Sequence, residues 1–151
     1  IRDSPNVVGV KWATPAPLRL AEAIRRADPS IVWVGGLAET WAPAFYAVGA
    51  RGFTSGLINV WPAHSVAIHA ALEAGDYAKA RAMIATMEPF EALRAEEGNG
   101  TNVSVVKAAL ALMGQDCGAV RPPGAWPLTQ RQQDDLARNL AAWGLTKAHA
   151  A

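Results

Sequence analysis

The residue type best suited to covalent chemistry in this chain is a lysine closing a short apolar stretch. In Val7-Val8-Gly9-Val10-Lys11 a largely β-branched run brings an amine to a strand end. An apolar wall there disfavours the ammonium form, lowers its pKa and frees a lone pair to attack a carbonyl. The competing reading is a lysine that snorkels to water along its own aliphatic stem. Other chemistries have weaker support. His64 and His69 are five residues apart, which on a helix does not bring them together as ligands, and His149 sits in the tail, so no metal site is expected. Gly35-Gly36 lacks the dinucleotide spacing, and there is neither a phosphate-loop lysine-serine pair nor a G-x-S-x-G elbow.

The elements that must position Lys11 alternate strand and helix through the first half. Thr14-Pro15-Ala16-Pro17 is a natural helix entry, with Leu18, Ala21 and Ile24 on one face and Asp28-Pro29 as the stop. Ile31-Val32-Trp33-Val34 predicts a second continuous apolar strand ended by Gly35-Gly36, then a helix over 38–48 and a third short strand around Phe53-Thr54-Ser55. Strands without in-and-out alternation, linked by helices, indicate a parallel sheet, so the fold class is α/β. From Pro62 onward only helices are predicted: 64–74 capped by Gly75, a next one starting at Asp76 and bent or ended at Pro89, one over 102–113, and a last one capped by Thr129. Three parallel strands leave unpaired edges and half-covered faces. A closed eight-stranded barrel lacking its first five strand-helix units accounts for that excess of edge and for the extra helices at the end.

Composition narrows the partners. A chain of 151 residues with a formal charge of +1 suits one domain and offers no electrostatic footprint for nucleic acid. No apolar run approaches the roughly 20 residues of a membrane span, and no signal peptide is visible, so no membrane partner is expected. The single cysteine, Cys117, has no disulfide partner, and a reducing, cytoplasmic setting follows as the expectation. The chain opens on Ile1 and enters a core-type strand within a few residues, which suggests a piece of something longer.

The order of motifs resembles a known family. Asn6-Val7-Val8-Gly9-Val10-Lys11-Trp12-Ala13-Thr14 resembles the Schiff-base strand of the dihydrodipicolinate synthase and N-acetylneuraminate lyase family, usually G-[IV]-K-[ED]-[AS]-[ST]. Val34-Gly35-Gly36-Leu37-Ala38-Glu39 is similar to its next strand and G-x-D-E turn. Gly49 to Gly56, followed by Asn59-Val60, is similar to its last barrel strand. Gly75-Asp76-Tyr77-Ala78-Lys79-Ala80 resembles a family helix start, Val105-Val106-Lys107-Ala108-Ala109-Leu110 its "P-V-K-x-A-L" helix, and Gly118-Ala119-Val120-Arg121-Pro122-Pro123 the segment before the final helix. Lys79, Lys107 and Lys147 lie on helices or in the tail, and Lys11 alone ends a strand of barrel type.

The resemblance implies the C-terminal part of a (β/α)8 TIM barrel. Its last three β/α units are expected in 1–61, with the final barrel helix and a helical extension in 62–151. It implies a class I lyase in which Lys11 condenses with pyruvate or another 2-oxo acid, acting as aldolase, synthase or 2-keto-3-deoxy sugar acid dehydratase. No cofactor and no metal are implied. Thr54, Ser55, Gly36 and Glu39 are the expected substrate-binding residues, Glu39 matching the acidic position that meets substrate hydroxyls in the sugar-acid branch. A homotetramer is implied by resemblance alone. Two departures bear on the substrate: Trp12 replaces a usual acidic residue and Ala38 a usual aspartate, which turns the expectation from aspartate semialdehyde towards a sugar-acid type. Two placements are open to Trp12, lining the pocket or packing under a helix. The family's threonine-pair loop and strand tyrosine are expected upstream of Ile1. The alternative function is a non-catalytic barrel relative that binds a keto acid as sensor or scaffold.

Overall fold

A computed structural model describes residues 6–123 and 126–146; Lys147, His149 and Gly124 lie outside the described residues. The chain divides into two compact units, Ile1–Ser55 with Ala63–Ala85 and Gly56–Pro62 with Thr86–Ala151.

The first unit is built on parallel pairing of β1 (Gly9–Trp12) with β2 (Val32–Gly35), in the register Gly9 to Val32, Val10 to Trp33, Lys11 to Val34 and Trp12 to Gly35. Alternation sorts these pairs by face. Val10, Trp12 and Trp33 look towards helix α1 (Pro17–Arg26), where Leu20, Ile31, Trp33, Phe45 and Ala50 form the buried cluster with Ala23, Ile24 and Ala27 against it. Each large apolar side chain enclosed there contributes roughly 1.5–3 kcal/mol. The other face, with Lys11 and Val32, is open: Val32 is 49% exposed.

Proline opens α1 as expected, but the helix turns differently. Leu18 is 82% exposed, and the stripe turned to the core is the buried Leu20 with the partly buried Ala23, Ile24 and Ala27. That stripe follows i, i+3, i+4, i+7 spacing from Leu20, so the sheet selects it over the one starting at Leu18. The expected third strand shrinks to one parallel bridge between Gly35 and Phe53. Its backbone still pairs beside β2, through Arg51 N–H to Trp33 O, Gly35 N–H to Gly52 O and Thr54 N–H to Gly35 O, each 2.8 Å. Asn59-Val60, expected with that strand, instead belongs to a helical turn, α3 (Leu57–Val60), which ends the extended backbone.

Helix α2 (Ala38–Ala47) carries Trp41 stacked on Phe45, with centroids 5.9 Å apart. Helix α4 (Pro62–Glu73) is ended by Gly75 at φ +74°, and Asp76 Oδ1 then caps Lys79 N–H at 2.9 Å. Helix α5 (Tyr77–Asn99) neither stops at Pro89 nor loses helical geometry there; its break falls at Glu96–Gly98. The missing hydrogen bond at a helical proline costs on the order of 3 kcal/mol, and full burial of Met87 and Phe90 on either side offsets it.

In the second unit α6 (Asn102–Leu112) packs on α3 and on α7 (Gln130–Ala142). Trp143 stacks on Trp61 at 5.0 Å. Thr129 caps α7 as expected, in a reciprocal box with Gln132. Lys107, expected only as part of a helix motif, sends its three protons to the carbonyls of Cys117, Gly118 and Ala119 at 2.9–3.2 Å. Among the described residues no helix is long and apolar enough to cross a membrane.

Candidate active site

The carboxyl ends of the parallel segments bring Lys11, Gly36 and Thr54 side by side. Gly36 N–H donates to Trp12 O at 2.8 Å, and Thr54 N–H to Gly35 O at 2.8 Å, so the Gly35-Gly36 pair is flanked by β1 on one side and by residues 53–54 on the other. A Cβ built on Gly36 would lie 2.8 Å from Lys11 Cε and 3.2 Å from Lys11 Cγ, which places the lysine stem across the glycine. Glycine is the residue that permits this approach. Parallel strands present their carboxyl ends as the usual place for a site in α/β folds.

Lys11 is exposed. The enclosing apolar wall expected around its amine is therefore not built by the described residues, because β1 is an edge strand and Lys11 stands on the uncovered face of the sheet. Trp12 takes the second of its two placements. Its ring meets Trp33 edge-on at 6.3 Å on the helix side, and its indole N–H donates to Thr14 O at 2.8 Å, so it does not face Lys11.

Glu39, in the first turn of α2, is fully buried. Its Oε1 accepts the Ser55 hydroxyl at 2.7 Å and the Ser65 hydroxyl at 2.5 Å, while Oε2 is enclosed without a hydrogen-bond partner among the described residues. The carboxylate is thus tied to the end of the 53–55 segment through Ser55. Ala38, immediately before it, holds φ +62°, and its N–H donates to Thr54 O at 3.2 Å. Ser65 was missed by the sequence reading: a serine among the alanines of α4 carries no motif, and only its distance to Glu39 reveals it. His64 and His69 do not converge. His64 Nε2 bonds to Met83 O at 2.9 Å, and His69 Nδ1 shares a 2.7 Å hydrogen bond with Tyr46 Oη. Burial, and secondarily the Glu73 carboxylate, push the Tyr46 phenol up to about 12, with Arg51 opposing.

The model of the dihydrodipicolinate synthetase family matches residues 1–143. The chain belongs to this family. Among its curated relatives, the chain is 33% identical over 138 residues to a probable 5-dehydro-4-deoxyglucarate dehydratase of Rhizobium rhizogenes, covering 89% of this chain and 44% of the relative. It is 35% identical over 141 residues to the 4-hydroxy-tetrahydrodipicolinate synthase of Syntrophus aciditrophicus, covering 93% and 46%. Among solved structures, the dihydrodipicolinate synthase from Bacillus clausii superposes with a TM-score of 0.86 at 36% identity, covering 93% of this chain and 48% of that one. The chain therefore spans about half the length of the family members it matches. Family membership agrees with the order of motifs along the sequence, from the Lys11 strand to the segment before α7. The α/β architecture here, helix-rich with a two-stranded parallel sheet, is consistent with part of a TIM barrel.

Proposed function

We propose that this chain is the C-terminal part of a (β/α)8 barrel whose Lys11 forms a Schiff base with a 2-oxo acid. The last three β/α units lie in 1–61, and the final barrel helix and helical extension in 62–151. The observation that carries the proposal is the lysine stem lying across Gly36 at the carboxyl ends of parallel strands. In a closed barrel the open sheet face becomes the inside, and the wall that Lys11 lacks is supplied there.

In the proposed chemistry, Lys11 Nζ adds to the ketone carbon, and the carbonyl oxygen leaves as water after taking up protons. The resulting iminium draws electrons from the adjacent carbon. A carbon–carbon bond, or a carbon–oxygen bond to a departing hydroxyl, then breaks or forms next to it without a cofactor. Gly36, Thr54 and Ser55 form the substrate-binding side of the mouth, with Glu39 acting through Ser55. The favoured substrate is a 2-oxo sugar acid, because Ala38 removes an acid from the rim and Trp12 turns its side chain to the helix side. A dehydratase is named among the relatives of this chain. A cytoplasmic homotetramer completes the proposal.

The test is to offer the full-length protein a 3-deoxy-2-oxo sugar acid and, separately, pyruvate with aspartate semialdehyde. Loss of water from the sugar acid is the expected result. Turnover of the semialdehyde alone would overturn the substrate choice, and turnover of neither would overturn the lyase reading.

A further inference from the structure

A carboxylate with no exposure and no ion pair among the described residues is a costly thing to keep inside a fold. Glu39 is that group: two serine hydroxyls donate to Oε1, and Oε2 is enclosed without a partner. Removing such an acid in favour of a neutral group of similar volume is often neutral or stabilising, so stability alone does not account for it. Its geometry shows what else it does. Contacts that hold the segment Thr54–Ser55 include those of Gly35 O with Thr54 N–H, of Ala38 N–H with Thr54 O, and of Glu39 with the Ser55 hydroxyl. The contacts from Ala38 and Glu39 come from the first turn of α2. Ser65, from the first turn of α4, braces the carboxylate from a third element.

We propose that Glu39, braced by Ser65, is a positioning residue that fixes Thr54–Ser55 against the Gly35-Gly36 end beside Lys11. The proposal rests on the Schiff-base reading of Lys11. A hydroxyl donating to a charged acceptor forms a stronger and shorter bond than one donating to a neutral group. The Ser55 proton is thereby committed to Glu39, and the strand end keeps one geometry during turnover. Displacement of a reacting group by about 1 Å costs up to about a hundredfold in rate, so a brace of this kind acts on the rate more than on the fold.

The experiment uses the full-length protein with pyruvate in deuterium oxide and follows exchange at C3. Through the iminium, a C3–H bond breaks to give the enamine and a C3–D bond forms on its return, with no net redox change. Glu39→Gln keeps shape and one acceptor while removing the charge. The expected result is an exchange rate at saturating pyruvate about tenfold lower, with the borohydride-trapped Lys11 adduct still at full yield. In a Ser55→Ala background the same substitution should cost less than about twofold, because its effect runs through Ser55. Ser65→Ala, a milder change, should lower the rate about threefold, and it carries the same test if Glu39→Gln does not fold. Exchange at the unsubstituted rate, or an equal loss in both backgrounds, would overturn the positioning role. No adduct and no exchange in the unsubstituted protein would instead overturn the Schiff-base reading itself.

Discussion

Gly36 and Lys11 are in contact so close that the glycine cannot gain a side chain without moving the lysine: a Cβ at Gly36 would stand 2.8 Å from Lys11 Cε and 3.0 Å from Ala13 Cβ. The strand-end pairing that sets this approach also sets where the amine can go. A side chain at position 36 would therefore limit where the Lys11 stem can lie.

Gly36→Ala is expected to slow formation of the pyruvate adduct on Lys11 about tenfold or more with only a small loss of stability, since the Lys11 stem can swing away while Ala13 Cβ, 3.0 Å off, has to give by only a few tenths of an ångström. Borohydride trapping at timed intervals, paired with urea unfolding, checks it. An unchanged trapping rate would mean that the stem is free to lie elsewhere.

Ala38 sits at φ +62°, a left-handed conformation that costs a residue with a Cβ about 1–2 kcal/mol. Ala38→Gly should raise stability by roughly 0.5–1 kcal/mol once the added freedom of the unfolded chain is counted. The midpoint of urea unfolding reads this directly, and a fall in the midpoint would show that the Ala38 methyl packs more than the backbone strains.

Trp12 binds Thr14 O through its indole N–H and meets Trp33 edge-on, on the face opposite Lys11. Trp12→Phe should cost about 1–2 kcal/mol from the lost hydrogen bond and contact area, with the Lys11 adduct unchanged in yield. Loss of the adduct with stability intact would place the indole in the pocket instead.

Tyr46 gives a prediction in pH. Burial raises its phenol from 10.0 to about 12, so the folded state favours the protonated form. The associated stability is complete below pH 10 and is lost as pH rises towards 12, the range in which the unfolded chain releases the proton and the folded chain does not. Tyr46→Phe should flatten the alkaline fall in unfolding free energy between these values. An equal fall in both proteins would assign the loss to other groups.

Legibility differed between backbone and side chains. β1 and β2 were readable because short apolar, largely β-branched runs, one closed by Lys11 and the other by Gly35-Gly36, have few alternatives, and Thr129 as a cap announced α7. Of the face expected for α1, Ile24 packs on the core and Leu18 does not, because Leu18 and Leu20 are equally apolar and only the sheet selects between them. Pro89 carried a local stop signal that burial of Met87 and Phe90 overrode. In the candidate site, Lys11 was visible as a lone cation closing an apolar run. The Ser55–Glu39–Ser65 cluster was not, since it joins residues 16 and 26 positions apart with no shared motif.

The central claim is the covalent role of Lys11, and one measurement reaches it most directly. The full-length protein is incubated with pyruvate and borohydride, weighed, and the modified peptide mapped. A single reduced adduct per chain on the peptide holding Lys11, absent from Lys11→Arg, is the expected result. An unchanged mass, or an adduct mapped to another lysine, would contradict it.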